Sequence, residues 1–116
     1  SKRINSIKDC VFCKIESGEI PSERIYEDED VFVINDLHPQ AKIHYLMIPK
    51  KHFATLSEMD SSDTELVGRA LKKISQIAPT IGLEKRYRII INQGEDGGQT
   101  IFHLHIHILG GEKLPV

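Results

Sequence analysis

His103-Leu104-His105-Ile106-His107-Ile108-Leu109 decides the reading of this chain, because three histidines alternate there with large aliphatic residues. Alternation with a period of two puts all three imidazoles on one face of a β-strand and turns the aliphatics to the other. Gly110-Gly111 closes the run, so the pattern predicts a strand that ends there. Histidine is the side chain whose proton affinity lies near neutral pH, and neutral imidazole is both a nucleophile and a metal ligand. With half of the six histidines inside five residues, this face reads as a site rather than a solvated surface. Reach disfavours one metal held by all three. Same-face residues are about 6.6–6.8 Å apart, which separates His103 from His107 by about 13 Å. Zinc–nitrogen bonds are only about 2.0–2.1 Å. Neighbouring pairs can share an ion, and the strand is expected to serve two adjacent sites.

The segment before this strand, Gly94-Glu95-Asp96-Gly97-Gly98-Gln99-Thr100, suits an anion. Its glycines let backbone amides come close to a phosphate, and Thr100 adds a hydroxyl. Taken alone, the same composition equally describes a flexible hairpin connection. Beside the histidines, and with Asn92 ending the strand before it, the loop would bring amides, a hydroxyl, an amide side chain and imidazoles into one small volume. Phosphoryl-type chemistry needs that arrangement: oriented donors around the equatorial oxygens and a nucleophile in line with the leaving group.

The remaining chain supplies a frame. At 116 residues, residues 1–116 are expected to form a single domain, or half of a dimer core. Fifteen basic and seventeen acidic side chains leave a net charge of −2, which gives no mark of nucleic-acid binding. No apolar run approaches twenty residues and the start, Ser1-Lys2-Arg3-Ile4-Asn5, is polar. No membrane span or signal peptide is expected, and a cytoplasmic setting follows. Cys10 and Cys13 form a C-x-x-C, open at this point to metal binding, thiol redox chemistry or two unremarkable thiols.

Residues 11–17 predict a short helix stopped by Gly18. Residues 24–28 and 30–36 predict a hairpin around an acidic turn, and His44 to Ile48 a strand halted by Pro49. Ser61-Ser62-Asp63-Thr64-Glu65 predicts a helix start, with Ser62 and Glu65 at capping-box spacing. Leu66, Val67, Ala70, Leu71, Ile74, Ile77 and Ala78 then form an apolar stripe, which Pro79 should end. Arg88 to Asn92 is the expected fourth strand and the histidine strand the fifth. Antiparallel strands with short connections and one long helix on one face make an α+β domain.

With these residues in view, the chain resembles the histidine-triad (HIT) superfamily, and within it the Hint branch of purine nucleoside phosphoramidases. The resemblance rests on the histidine strand, Gly97-Gly98-Gln99-Thr100, Asn92, Asp36 with Pro39-Gln40-Ala41, and His44 through His52. It runs from about Cys10 to Gly111. It implies the HIT fold: a five-stranded antiparallel sheet with one long and one short N-terminal helix, the sheets of two protomers joined in a homodimer. It also implies hydrolysis of a nucleoside 5′-phosphoramidate through a nucleotidyl-histidine, with His105 as nucleophile and no catalytic metal required. His107 and the backbone of Gly98, Gln99 and Thr100 would hold the phosphate, and Asn92 the phosphate or ribose. Thr100 or His44 would assist the leaving amine. Asp36 would accept the ribose hydroxyls, while Phe12, Ile15, Ile20, Ile34 and Leu37 would wall the purine. Cys10, Cys13, His52 and His103 would hold a structural zinc. Asn35, His38 and Ile34 depart from the usual residues around the ribose aspartate, and the tail Glu112-Lys113-Leu114-Pro115-Val116 is short. A dinucleoside polyphosphate hydrolase, a nucleotide-binding or interaction module with vestigial catalysis, and a His/Cys metal-binding protein are the rival readings.

Overall fold

Val31-Phe32-Val33-Ile34 is apolar at every position, so a strand made of it needs cover on both faces. The computed structural model, which describes residues 9–116, provides that cover. The polar start Ser1 to Asn5 lies outside the described residues. Strand β2 (Val31–Asn35) pairs antiparallel with β1 (Tyr26–Glu27) and with β3 (Ile43–Pro49). Strand β5 (Ile106–Gly110) lies between β3 and β4 (Tyr87–Ile90), giving the order β1-β2-β3-β5-β4. The five-stranded antiparallel α+β fold is the one the sequence predicts.

Register assigns the two faces. Val33, Met47 and Ile106 form one cross-strand row, and together with Val31 and Ile108 they pack under Ala70 and Ile74 of helix α2 (Ser61–Ile77). Phe32, Ile34, Leu46 and Ile48 face the other way, against Phe12 and Ile15 of helix α1 (Val11–Glu16). Full burial of a side chain the size of Phe32 contributes about 1.5–3 kcal/mol. The long helix thus closes one face, and the short helix closes only part of the other. The uncovered remainder is where a ligand can enter.

Several local expectations shift. The histidine strand begins at Ile106, so His103, Leu104 and His105 precede it. The reason lies in β3, whose pairing with β5 ends at Met47 and Ile106. Pro49 has no N–H for a further rung, and its carbonyl instead accepts from His103 Nε2 at 2.7 Å. Leu104 is held separately, its amide donating to the Phe53 carbonyl at 2.8 Å while its side chain packs on Phe53 and Val67. The capping box of α2 is Asp60 with Asp63, not Ser62 with Glu65. The Asp63 amide donates to Asp60 Oδ1 at 2.8 Å and the Asp60 amide to Asp63 Oδ2 at 3.1 Å. A carboxylate two residues earlier out-competes the serine, being a stronger acceptor near the positive end of the helix. Leu71 leaves the predicted stripe and is 39% exposed. Strand β4 stops at Ile90, with Ile91 and Asn92 beyond it. Helix α1 stops at Glu16, where Ser17 caps it and Gly18 turns the chain with φ +88°.

Candidate active site and metal centre

Ile34, Leu46 and His107 stand opposite one another across β2, β3 and β5, on the face that α1 covers incompletely. This row is the floor of a cavity of about 400 Å³. Phe12, Ile15, Ile34 and Leu46 give it an apolar end, with Leu37 at its mouth, 89% exposed. Asp36, Asn92, Thr100, His105 and His107 give it a polar end. A slot with a flat apolar half and a few convergent polar groups is the usual build of a small-molecule site.

Hydrogen bonds fix the imidazole tautomers. The His103 carbonyl only accepts, so His105 donates to it through Nδ1 at 2.7 Å. The lone pair of His105 therefore sits on Nε2. On the neighbouring pair the proton is placed the other way. The Gln40 amide donates to His44 Nδ1 at 3.1 Å, which puts the His44 proton on Nε2. That proton points to His107 Nδ1 at 2.9 Å, so neutral His107 carries its own proton on Nε2. Asp36 Oδ2 lies 3.4 Å from His44 Nε2 and 3.9 Å from His107 Nδ1, while Oδ1 accepts from the His38 amide at 2.8 Å.

Burial lowers the pKa of His105, while the hydrogen bond to His103 and the Asp36 carboxylate work in the opposite direction. Burial also depresses His107, to about 4, helped by the like charges of His105 and His44 and opposed by Asp36. Both rings are consequently neutral near pH 7, one presenting a lone pair and the other an N–H. Phe12 sets its edge against His105, with ring centroids 5.1 Å apart.

A second cluster lies behind the first. His103 donates through Nε2 to Pro49, which leaves Nδ1 as a ligand atom 3.4 Å from Cys10 Sγ and 3.6 Å from Cys13 Sγ. His52 Nδ1 is 3.0 Å from His103 Nδ1 and 3.3 Å from Cys13 Sγ. All four donor atoms lie within 4.8 Å of one another. Bonds of about 2.0–2.1 Å to nitrogen and about 2.3 Å to sulfur imply edges of roughly 3.3–3.8 Å in a tetrahedron, so the donors fit a zinc ion after small adjustments of the side chains. Burial, together with the neighbouring Cys10, pushes the Cys13 thiol up to about 12. A cation would relieve that penalty. The sulfurs also act locally, since Cys10 Sγ caps α1 by accepting from the Cys13 amide.

Three predicted site residues sit elsewhere. Ile20 does not line the cavity but packs behind Phe12 and Ile15, where its amide bonds the Lys14 carbonyl. The amides of Gly98 and Gln99 turn inward to the carbonyls of Glu95 and Gly94, both at 3.0 Å. The glycine loop closes on itself, and its contribution to the cavity wall is Gly98 and Thr100. The Gln99 side chain is buried and structural, donating to Ala54 and Ile101 and accepting from Gly94. His44 backs His107 and does not line the cavity. Conversely, Val11, Leu46 and Ile101 line it without having been predicted. The β2–β3 register would have exposed Leu46, once Ile34 had been placed in the slot.

A family profile described as "Scavenger mRNA decapping enzyme C-term binding" matches residues 9–114. A HIT-like protein of Chlamydia muridarum is 46% identical over 104 residues, covering 90% of this chain and 82% of that one. The chain belongs to the histidine-triad superfamily. The crystal structure of a HIT family hydrolase from Legionella pneumophila Philadelphia 1 superposes with a TM-score of 0.85 at 41% identity, covering 91% of this chain and 96% of the other. A Zn-bound histidine-triad family protein from Mycobacterium smegmatis superposes with a TM-score of 0.75 at 37% identity, covering 88% and 74%. Among the described residues of this histidine-triad protein, no helix is long and apolar enough to cross a membrane.

Proposed function

We propose that this protein hydrolyses the P–N bond of purine nucleoside 5′-phosphoramidates, as the Hint branch does. The observation that carries this reading is the tautomer of His105: its Nδ1 proton is committed to the His103 carbonyl, and Nε2 is left as a neutral nucleophile in the polar end of an apolar slot. The purine lies between Phe12, Ile15, Ile34 and Leu46, and the ribose hydroxyls reach Asp36. His105 Nε2 attacks the phosphorus, the P–N bond breaks, and its electron pair leaves with the amine nitrogen. His107 Nε2–H donates to the phosphate oxygens, with Thr100 and Asn92 lining the same slot. The amine nitrogen takes a proton that the Thr100 hydroxyl relays from solvent, and the later addition of water to phosphorus returns one. Water then attacks phosphorus, the His105–P bond breaks, and a nucleoside monophosphate is released.

Among the described residues no lysine or arginine lines the slot. Neutral donors match the single charge of a phosphoramidate better than the several charges of a polyphosphate chain. Cys10, Cys13, His52 and His103 would hold zinc, whose chemistry is structural: it fixes α1 against the sheet. In a homodimer, β4 would be the pairing edge, the longer of the two edge strands, with Ile89 and Ile90 each 37% exposed. A zinc held by Cys10 and Cys13 would keep both thiols reduced, which a cytoplasmic setting favours. Incubation with AMP-amidate and with diadenosine polyphosphates, following AMP release, tests the reading. Faster release from the amidate is expected, and release from the polyphosphates alone would favour the rival hydrolase.

A further inference from the structure

Arg24 stands outside the slot yet ties two of its walls together. Its Nη2 donates to the Ile15 carbonyl at 2.7 Å and to the Glu16 carbonyl at 3.4 Å, at the C-terminal end of α1. The guanidinium carbon lies 4.4 Å from the centre of the Phe32 ring in β2, and Nη1 is 3.2 Å from Glu27 Oε2 in β1. Arg24 thus joins the short helix to the strand beneath it, without lining the cavity itself. We propose that Arg24 is a positioning residue for the base: it sets the gap between Ile15 on α1 and Ile34 on β2, and so governs how tightly the purine is held. This role rests on the slot being a nucleotide site, and adds to the phosphoramidase reading what fixes the slot's width.

Helix length supplies the first reason. Six residues make fewer than two turns, and isolated helices shorter than about 12–15 residues are marginal in water. Helix α1 keeps its place through what grips it from outside. At its start, the Cys10 and Cys13 sulfurs lie against His103 and His52. At its end, the last carbonyls have no partner within the helix, and the helix dipole favours a cation beside them. Arg24 supplies that cation from outside the helix. One planar guanidinium can serve two carbonyls and still lie over an aromatic ring, which a compact ammonium does less well.

Position supplies the second reason. Phe32 and Ile34 project from the same face of β2, as alternate residues of a strand do. The Arg24 cation on Phe32 is therefore one side chain away from the slot wall at Ile34. Its shorter hydrogen bond is to the backbone of Ile15, the facing wall. Phe12, which meets His105, lies nearer the cysteine end of α1. Loosening the Arg24 end shifts Ile15 against Ile34 and leaves His105 on the His103 carbonyl. Base affinity changes while the chemical step does not.

The test measures affinity for AMP and for ribose 5-phosphate, which has the sugar and phosphate but no base. It uses the wild type, Arg24→Met and Arg24→Lys. Methionine keeps an apolar stem against Phe32 and donates nothing. In Arg24→Met, AMP should bind about tenfold more weakly, the lower end of what a hydrogen bond to a charged group contributes, while ribose 5-phosphate binds as before. KM for AMP-amidate should rise with kcat unchanged. Arg24→Lys should show a smaller loss in the same direction, and it decides the matter if Arg24→Met does not fold. A merely structural role would weaken both ligands alike or lower only the melting temperature. Either result, or a fall in kcat without a rise in KM, would overturn the role of Arg24. AMP binding without amidate turnover would remove the phosphoramidase reading, and the affinity comparison would still decide for or against Arg24. A wild type that binds AMP no better than ribose 5-phosphate would take the base out of the slot, and the role of Arg24 with it.

Discussion

His105 Nδ1 donates to the carbonyl of His103 at 2.7 Å, so the proposed nucleophile is oriented by the backbone of a residue in the Cys₂His₂ cluster. Phe12 reinforces the link, its ring meeting His103 at 5.8 Å and His105 at 5.1 Å between centroids. The two clusters are therefore one mechanical unit. Purified protein should contain about one zinc per chain, and Cys10→Ser should lose it. Thermal stability should fall with the metal, because a structural zinc contributes directly to folding free energy. Turnover of AMP-amidate should fall as well, since α1 and the His103 carbonyl lose their anchor. Elemental analysis and a melting curve check this. Metal-free protein with a Cys10–Cys13 disulfide would establish the thiol redox alternative.

His105→Ala should abolish turnover while leaving AMP affinity largely intact. The side chain forms the covalent bond, yet it is one of several groups at the polar end of the slot. Losing a covalent route should cost several powers of ten in kcat. A variant that kept more than about a tenth of wild-type activity would refute nucleophilic catalysis by His105.

Much of this was legible in the sequence, and the misses share a cause. Alternation from Ile106 to Leu109 and the all-apolar run of β2 marked strands, because period and burial are local properties. The start of the histidine strand was not legible, since it depends on where the partner strand runs out of donors, at Pro49. The division of the three imidazoles did follow from residue spacing: His103 turns to the cysteines, and His105 and His107 line the cavity. The inward-turned amides of Gly98 and Gln99 were hidden, because glycine content permits an anion nest and a self-closed turn equally well. The Gln40 amide that fixes the His44 tautomer carries no side-chain signal at all.

Stability should depend on Asp28, which ties the first hairpin to α2. Its Oδ1 accepts the amides of Asp30 and Val31, and its Oδ2 accepts from the Tyr26 hydroxyl and pairs with Lys73. Burial opposes the charged form, but Lys73, Tyr26 and the two amides together hold the carboxyl at about 2. The folded value is below the unfolded one of about 3.9, so this stabilisation is complete above pH 4 and is lost as the pH falls toward 2. Asp28→Asn should cost about 1–2 kcal/mol at pH 7, with solvent screening counted, and should lose its effect at pH 2. Denaturant melts at the two pH values check the sign. An equal loss at both would show that the hydrogen bonds, rather than the charge, are responsible.

Asp36 offers a last test, because its two roles make different predictions. As ribose acceptor it should favour ribo over deoxyribo substrates, since a hydrogen bond to a charged group is worth about 1.5–3 kcal/mol, or roughly ten- to hundredfold in kcat/KM. As a carboxylate 3.9 Å from His107 Nδ1, it also favours the protonated imidazole and so opposes the burial that takes His107 to about 4. Asp36→Asn should therefore shrink the ribose discrimination and move the acid limb of kcat/KM to lower pH. The direction follows from the charge: removing an anion makes His107 harder to protonate, and its neutral form persists further into acid. Kinetics of ribo and deoxyribo amidates from pH 3.5 to about 8, spanning the shifted and ordinary histidine range, measure both effects. Equal kcat/KM for the two sugars in the wild type would take Asp36 out of the ribose site. An acid limb moving to higher pH in the variant would show that Asp36 does not act on His107 through its charge.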